Sequence, residues 1–84
     1  MTEATYGEKA VGLSFNPSGD PKVNEIKVAY AKIIDLCNEL LIQATTNPTP
    51  DAYANSEKAR LLSVAITEAQ TAQMWAVKGI TFQP

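Results

Sequence analysis

The sequence contains no histidine and only one cysteine, Cys37, and these two scarcities exclude several classes of protein. A single thiol cannot form an internal disulfide, and zinc sites built from Cys and His lack their ligands. Catalysis by Ser-His-Asp or Cys-His arrangements is excluded because it requires an imidazole base. We expect Cys37 to be a buried structural thiol, since it lies on the apolar stripe of a predicted helix.

Positive charge and long apolar runs are also scarce. Seven Lys and Arg residues stand against nine Asp and Glu residues, and the net charge of −2 argues against a general DNA or RNA binder. No segment reaches the roughly 20 apolar residues that span a bilayer. Residues 1–5 lack the features of a signal peptide. We therefore expect a cytoplasmic protein without a membrane partner.

The length of 84 residues predicts a single small domain that needs additional stabilisation. Domains of this size usually add disulfides, a metal ion or self-association. Because the composition excludes a disulfide and a Cys/His metal site, it favours a homo-oligomer.

Residues 1–20 are predicted to form an irregular arm that ends in a turn. Val11, Leu13 and Phe15 alternate with small residues, which is compatible with a very short strand. The segment 16–19, Asn-Pro-Ser-Gly, has the composition of a β-turn.

A first long helix is predicted over residues 21–44, with Asp20 as its N-cap and Pro21 in its first position. Its apolar residues recur at the helical spacing, and they are Val23, Ile26, Tyr30, Ile33, Ile34, Cys37, Leu40 and Leu41. A proline-containing loop over residues 45–55 follows.

A second long helix is predicted over residues 56–79, and two starts are compatible with its sequence. The Thr-Pro-Asp segment at 49–51 is one, and Ser56 is the other; Gly79 is the expected end. Four alanines at 65, 69, 72 and 76 predict a close helix–helix contact. The fold class is therefore all-α, an antiparallel helical hairpin with an N-terminal arm. Several apolar residues lie off the predicted contact stripes and favour hairpins that pack on each other: Val28, Leu36, Ile42, Val64 and Met74.

No catalytic constellation is present, so we expect neither an enzyme nor a bound cofactor. Asp35, Glu57 and Glu68 have spacings that do not pair and are interpreted as solvated carboxylates. Lys27 lies early in the first helix beside the turn, where it is either an anion contact or an ordinary solvated charge. Phe15 belongs either to the core or to a base-stacking site, and Tyr6 carries the same ambiguity.

Three segments resemble a known family. The segment 60–77, RLLSVAITEAQTAQMWAV, resembles the terminal helix of the phage hairpin-domain sponges, the anti-CBASS and anti-Thoeris proteins. Phe15-Asn16-Pro17 resembles the entry to the first helix in the anti-Thoeris branch, and the segment 24–27, Asn-Glu-Ile-Lys, resembles the anti-CBASS branch.

This resemblance implies a non-catalytic homohexamer that sequesters cyclic dinucleotides, cyclic trinucleotides or cyclised ADP-ribose in the cytoplasm of an infected bacterium. It assigns Lys27 to the ligand phosphates, Arg60 to a trinucleotide site, and Phe15 or Tyr6 to base stacking. Asn16 and Asn24 lie within the matching segments and join the candidate contacts. The alternative hypothesis is a helical oligomer that binds a host or phage protein through its spare apolar surface.

Overall fold

The chain folds into a long helical hairpin with a short third helix along one side. The computed structural model describes residues 3–84, so Met1 and Thr2 of the predicted arm lie outside the described residues. Helix α1 comprises Tyr6–Val11, α2 Pro21–Thr46 and α3 Ala52–Thr81. Residues 3–84 contain no strand. The predicted all-α hairpin is confirmed, and α1 packs mainly on α2.

Helix α2 begins where the sequence predicts and ends two residues later, at Thr46. The Asp20 carboxylate accepts a hydrogen bond from the Lys22 backbone N–H at 2.8 Å, and Pro21 occupies the first turn. The extension to Thr46 shortens the predicted loop, since only Asn47 and three further residues separate α2 from the cap of α3.

Helix α3 begins at one of its two predicted starts and ends two residues beyond the predicted end, at Thr81. The start at Asp51 is the one adopted, because its carboxylate accepts a hydrogen bond from the Ala54 N–H at 3.0 Å. Asn55, placed in the predicted loop, lies within the helix and donates to the Thr49 carbonyl at 2.7 Å. Gly79 does not end the helix, since positive φ occurs only at Gly12 and Gly19 in the described residues.

Residues 11–15 do not form the very short strand with which their alternation is compatible, because α1 extends to Val11 and a turn follows it. Thr5 and Glu8 form a reciprocal capping box at the start of the helix. At its end Gly12 adopts a left-handed conformation with φ 63°, and the Leu13 N–H donates to the Glu8 carbonyl at 3.0 Å. This is a Schellman ending, which glycine accommodates without steric cost. Local capping therefore outweighs the weak alternation.

Helix α1 lies against α2 at a point of close backbone approach. The Gly7 N–H donates to Asp35 Oδ1 at 2.6 Å, and a side chain at Gly7 would collide with the Ala31 carbonyl oxygen. The interpretation of Asp35 as a solvated carboxylate is therefore wrong. Its charge lies at the N-terminus of α1, where it complements the helix dipole.

A small core lies where the three helices meet. Its buried members are Val11, Ala31, Ile34 and Ile66, and half-buried Cys37 packs against them. The alanine contact predicted on α3 is only half right. Ala69 and Ala76 lie towards α2, whereas Ala65 and Ala72 are exposed, because the face centred on Ile66 and Gln73 forms the contact.

The molecule is one helix layer thick, so both faces of the hairpin are open. It measures 53 × 34 × 12 Å, and its radius of gyration of 15.3 Å exceeds the value of about 12 Å for a compact chain of this length. Many large apolar side chains are consequently exposed, among them Ile33, Leu36, Leu40, Ile42, Tyr53, Leu61, Val64, Met74 and Trp75. None of the helices within residues 3–84 combines the length and the hydropathy that a bilayer-spanning segment requires.

Candidate ligand-binding site

Lys27 is a buried cation without an anionic contact. Its residue is only 5% exposed, and its Nζ donates to the carbonyl oxygens of Gly12, at 3.0 Å, and of Phe15. No carboxylate of residues 3–84 lies within 4.0 Å of this nitrogen. The alternative of a solvated lysine is therefore wrong. Buried ammonium groups are normally paired with an anion, so this one is suited to receive an anion from a ligand.

Lys27 also holds the end of α1 on α2. The negative end of the α1 dipole and the carbonyls of the following turn surround its ammonium group. Asp35, eight residues further along α2, contacts the opposite end of α1 through Gly7. Helix α2 thus contributes the Asp35 carboxylate to one end of α1 and the Lys27 ammonium to the other. Because α1 runs antiparallel to α2, these two contacts together fix the position of the arm.

A first cleft, which we call the Phe15 cleft, lies between the arm, the start of α2 and the end of α3. It has a volume of about 220 Å³ and is lined by Phe15, Asn16, Pro17, Ser18, Val23, Lys27, Val77 and Thr81. The Phe15 ring is 69% exposed, which excludes the core role, and its centre lies 5.7 Å from Lys27 Nζ. An exposed aromatic face beside a cation is suited to stack a base and to bind its phosphate.

The turn that carries Phe15 is held by its own polar side chains. Asn16 Nδ2 donates to the Asp20 carbonyl at 3.0 Å, and Ser18 Oγ donates to Asn16 Oδ1 at 2.7 Å. The predicted turn at 16–19 is therefore a rigid wall of the cleft, and Gly19 supplies its positive φ of 70°.

The remaining candidate residues lie outside the Phe15 cleft. Asn24 is exposed on α2, and Tyr6 is exposed on α1. Arg60 forms an exposed ion pair with Glu57, with Nε 3.1 Å from Oε2, and this hydrogen bond lowers the pKa of the Glu57 carboxyl. Arg60 and Val77 are 17 residues apart on one helix, a separation of about 25 Å. One protomer therefore does not bring Arg60 to Lys27.

A second cleft was not predicted from the sequence, and we call it the Gln73 cleft. It shares Lys27 with the first, has a volume of about 590 Å³ and is lined by Lys9, Ala10, Val11, Gly12, Lys27, Thr67, Gln70, Thr71, Gln73 and Met74. Its lining includes two lysines and no carboxylate. The lining residues 67, 70, 71 and 74 follow helical spacing, and this periodicity is the signal available in the sequence.

The described residues contain no group of three or more Cys, Asp or Glu side chains that could hold a metal ion. The side chains that line the two clefts supply ammonium, amide, hydroxyl and aromatic groups.

Comparison with known proteins gives one finding. No curated protein and no solved structure gives a significant match. The family model described as Acb2/Tad1, hairpin domain, matches residues 8–81, which include most of α1, all of α2 and α3, and every residue of the two clefts. The chain therefore belongs to the Acb2/Tad1 hairpin-domain family, the anti-CBASS and anti-Thoeris sponges.

Proposed function

We propose that this protein is a non-catalytic sponge for cyclic oligonucleotide messengers of bacterial anti-phage immunity, acting in the cytoplasm of the infected cell. The observation that carries the proposal is the buried Lys27 ammonium, which has no anionic contact and lies beside the exposed Phe15 ring. The ligand phosphate occupies the position next to Lys27 Nζ, and one base stacks on Phe15. Sequestration of the messenger keeps it from its effector.

The cation and the aromatic ring of the site support a cyclic dinucleotide as the ligand class. A cyclic dinucleotide carries two phosphates and two bases, and two protomers related by a twofold axis supply one lysine and one aromatic ring each. Asn16 lies at the rim of the Phe15 cleft and contacts the same base or its sugar. Asn24 and Tyr6 lie outside the Phe15 and Gln73 clefts, and we assign them to a ligand shared between protomers.

Arg60 belongs to a different site in this proposal. Arg60 lies far from Lys27 along the hairpin, so we assign it to a trinucleotide site that is separate from the dinucleotide site at Lys27. A cyclised ADP-ribose, with its pyrophosphate, has the same requirements as a dinucleotide at Lys27.

Self-association is the first consequence. We expect a homo-oligomer, with six protomers as the number that the family resemblance implies. The exposed residues Leu36, Ile42, Val64 and Met74 give each hairpin more apolar surface than a stable monomer normally leaves open. Sedimentation at low micromolar concentration is expected to show one oligomeric species. A stable folded monomer under these conditions would contradict this prediction.

Binding without turnover is the second consequence. We expect a screen of cyclic dinucleotides, cyclic trinucleotides and cyclised ADP-ribose isomers to identify at least one ligand that raises the melting temperature. At a free concentration of one hundred times Kd, a ligand adds about 2.7 kcal/mol of stability. After binding and heat denaturation, the ligand should be recovered chemically intact. Linearised or hydrolysed product would instead indicate an enzyme.

The second candidate function is binding of a host or phage protein, and the exposed aromatic residues favour it. Tyr53 and Trp75 are both exposed, and such side chains are enriched at protein interfaces. This alternative predicts that no cyclic nucleotide shifts the melting temperature. It also predicts that the aromatic surface stays accessible in the oligomer.

A further inference from the structure

Gln73 is a buried amide whose hydrogen-bonding groups are not used by the protein. The residue is only 5% exposed, yet its side chain forms no hydrogen bond with residues 3–84. No fully buried side-chain N or O atom of these residues lacks a hydrogen bond, so the Gln73 amide retains contact with the solvent of its cleft. Its two donors and its acceptor oxygen are therefore available to a ligand.

The neighbouring polar groups on α3 differ from Gln73 in this respect. Gln70 Nε2 donates to the Ala10 carbonyl at 3.4 Å, and Thr71 Oγ1 donates to the Thr67 carbonyl at 3.2 Å. Gln70 is therefore bonded to the arm, and Thr71 is bonded to its own helix. Gln73 is thus the deepest polar group of the cleft that has no assigned contact.

The position of Gln73 relative to Lys27 connects it to the proposed ligand. Both residues line the Gln73 cleft, and Lys27 is also part of the Phe15 cleft. A nucleotide whose phosphate contacts Lys27 can therefore place one base on either side of that lysine. In the Phe15 cleft the base would meet an aromatic face. In the Gln73 cleft it would meet the Gln73 amide instead.

We infer that Gln73 determines base specificity by binding the edge of a nucleobase, with adenine preferred over guanine; this inference rests on the proposed function. A glutamine amide can donate to adenine N7 while accepting from the adenine N6 amino group. Guanine presents two acceptors, O6 and N7, at the same edge, so the amide oxygen would face another acceptor.

Lys9 is the competing residue, because lysine side chains can donate to both guanine acceptors. It lines the same cleft but is exposed at the rim, whereas Gln73 is buried at the base of the cleft. Once a ligand fills the cleft and displaces its water, a mismatched polar contact at Gln73 becomes costly. Gln73 is therefore the stronger determinant of the two.

The test measures Kd by calorimetry for cyclic di-AMP and cyclic di-GMP with the wild-type protein and with Gln73→Met, a variant of similar length without hydrogen bonds. We expect the wild type to prefer cyclic di-AMP. Gln73→Met should lower the affinity for cyclic di-AMP by about 5- to 150-fold, the range of one bidentate base contact. The affinity for cyclic di-GMP should change by less than threefold. Gln43→Met, at an exposed position of α2, is the matched control and should change neither value.

A ligand analogue separates base recognition from a packing effect. Cyclic di-AMP built from 7-deazaadenine lacks the N7 acceptor, so it should bind the wild type more weakly than cyclic di-AMP does. Gln73→Met should bind the two ligands equally well.

Three further outcomes overturn the inference. If Gln73→Met weakens both dinucleotides by the same factor, or if Lys9→Met changes the preference more than Gln73→Met does, Gln73 is not the specificity determinant, although the proposed function stands. If the wild type binds neither dinucleotide nor any other cyclic nucleotide, the proposed function is wrong and the inference fails with it.

Discussion

Lys27→Ala is expected to weaken the binding of a cyclic dinucleotide by about 10- to 150-fold for each phosphate that the lysine no longer reaches. A hydrogen bond to a charged group contributes about 1.5–3 kcal/mol, and that range converts to this decrease in affinity. If each ligand spans two protomers, the substitution removes both lysines from the ligand and the decrease is larger. Calorimetric titration of the wild-type and variant proteins measures the effect.

Three other cations serve as controls for Lys27. Lys22 is exposed and forms an ion pair with Glu25 at 3.0 Å, a hydrogen bond that raises the pKa of Lys22. Lys32 is exposed on the same helix. Alanine at either position should lower the affinity for the dinucleotide by less than tenfold, and Arg60→Ala should leave it unchanged. Equal small decreases in affinity at Lys22, Lys27 and Lys32 would indicate diffuse electrostatic attraction and would contradict a defined site.

The structural role of Lys27 requires a second variant. Alanine at this position also removes the donor to the Gly12 and Phe15 carbonyls, which helps to hold the arm on α2. Lys27→Arg keeps the charge and the donors, and it should recover part of the affinity. If hydrogen exchange of α1 is equal in both variants while their affinities differ, the weaker binding arises from the missing ligand contact.

Gly7→Ala is expected to displace α1 from α2 and to lower the melting temperature by about 5–20 °C. The new methyl group would meet the backbone carbonyl of Ala31, which cannot move without disrupting α2, and it would lie 2.9 Å from the Asp35 carboxylate. Overpacking of this kind costs about 1–3 kcal/mol, and each kcal/mol corresponds to about 4–8 °C in a domain of this size. Differential scanning calorimetry measures the shift.

Gly79→Ala is the matched control, because it makes the same chemical change in open space. Apart from its chain neighbours and the backbone of its own helix, nothing lies within 4 Å of the position that a Cβ would occupy at Gly79, and the residue is within α3. Replacing a helical glycine by alanine stabilises a protein by about 0.5–1 kcal/mol. The two substitutions should therefore change the melting temperature in opposite directions. A decrease of the same size in both would show that α1 does not depend on close contact at Gly7.

The parts of the fold that the sequence can predict are those set by neighbouring residues. The Asp20 cap, the proline after it and the turn at 16–19 are local features, and each occurs where its composition indicates. The hairpin itself follows from two long apolar periodicities joined by prolines. The start of α3 at Asp51 is one of two local alternatives, and both contain a competent cap.

The errors arise where a contact joins residues far apart in the chain. Asp35 has the sequence surroundings of a solvated carboxylate, because nothing near it in the chain shows that Gly7 lies against it. Lys27 has the sequence surroundings of an ordinary surface charge, because its hydrogen-bond acceptors belong to the arm, 12 and 15 residues away in the chain. Gln73 is a polar residue close to two alanines, and its burial depends on how α3 turns towards α2. The candidate site is thus predictable in its residue types but not in their burial.

The hydrogen bonds that join the arm to α2 use main-chain groups of the arm, and this affects which substitutions in the arm are tolerated. The acceptors of Lys27 are carbonyl oxygens, and the donor to Asp35 is a backbone N–H. Every amino acid except proline offers both groups, so these hydrogen bonds do not depend on the side chains of the arm, although Val11 adds apolar contacts in the core and position 7 requires glycine. The residue at position 15 can therefore change in size or polarity while the arm remains in place. Under the proposed function, in which Phe15 stacks on a base, substitutions in this short segment would change the ligand preference without altering the helices that support it.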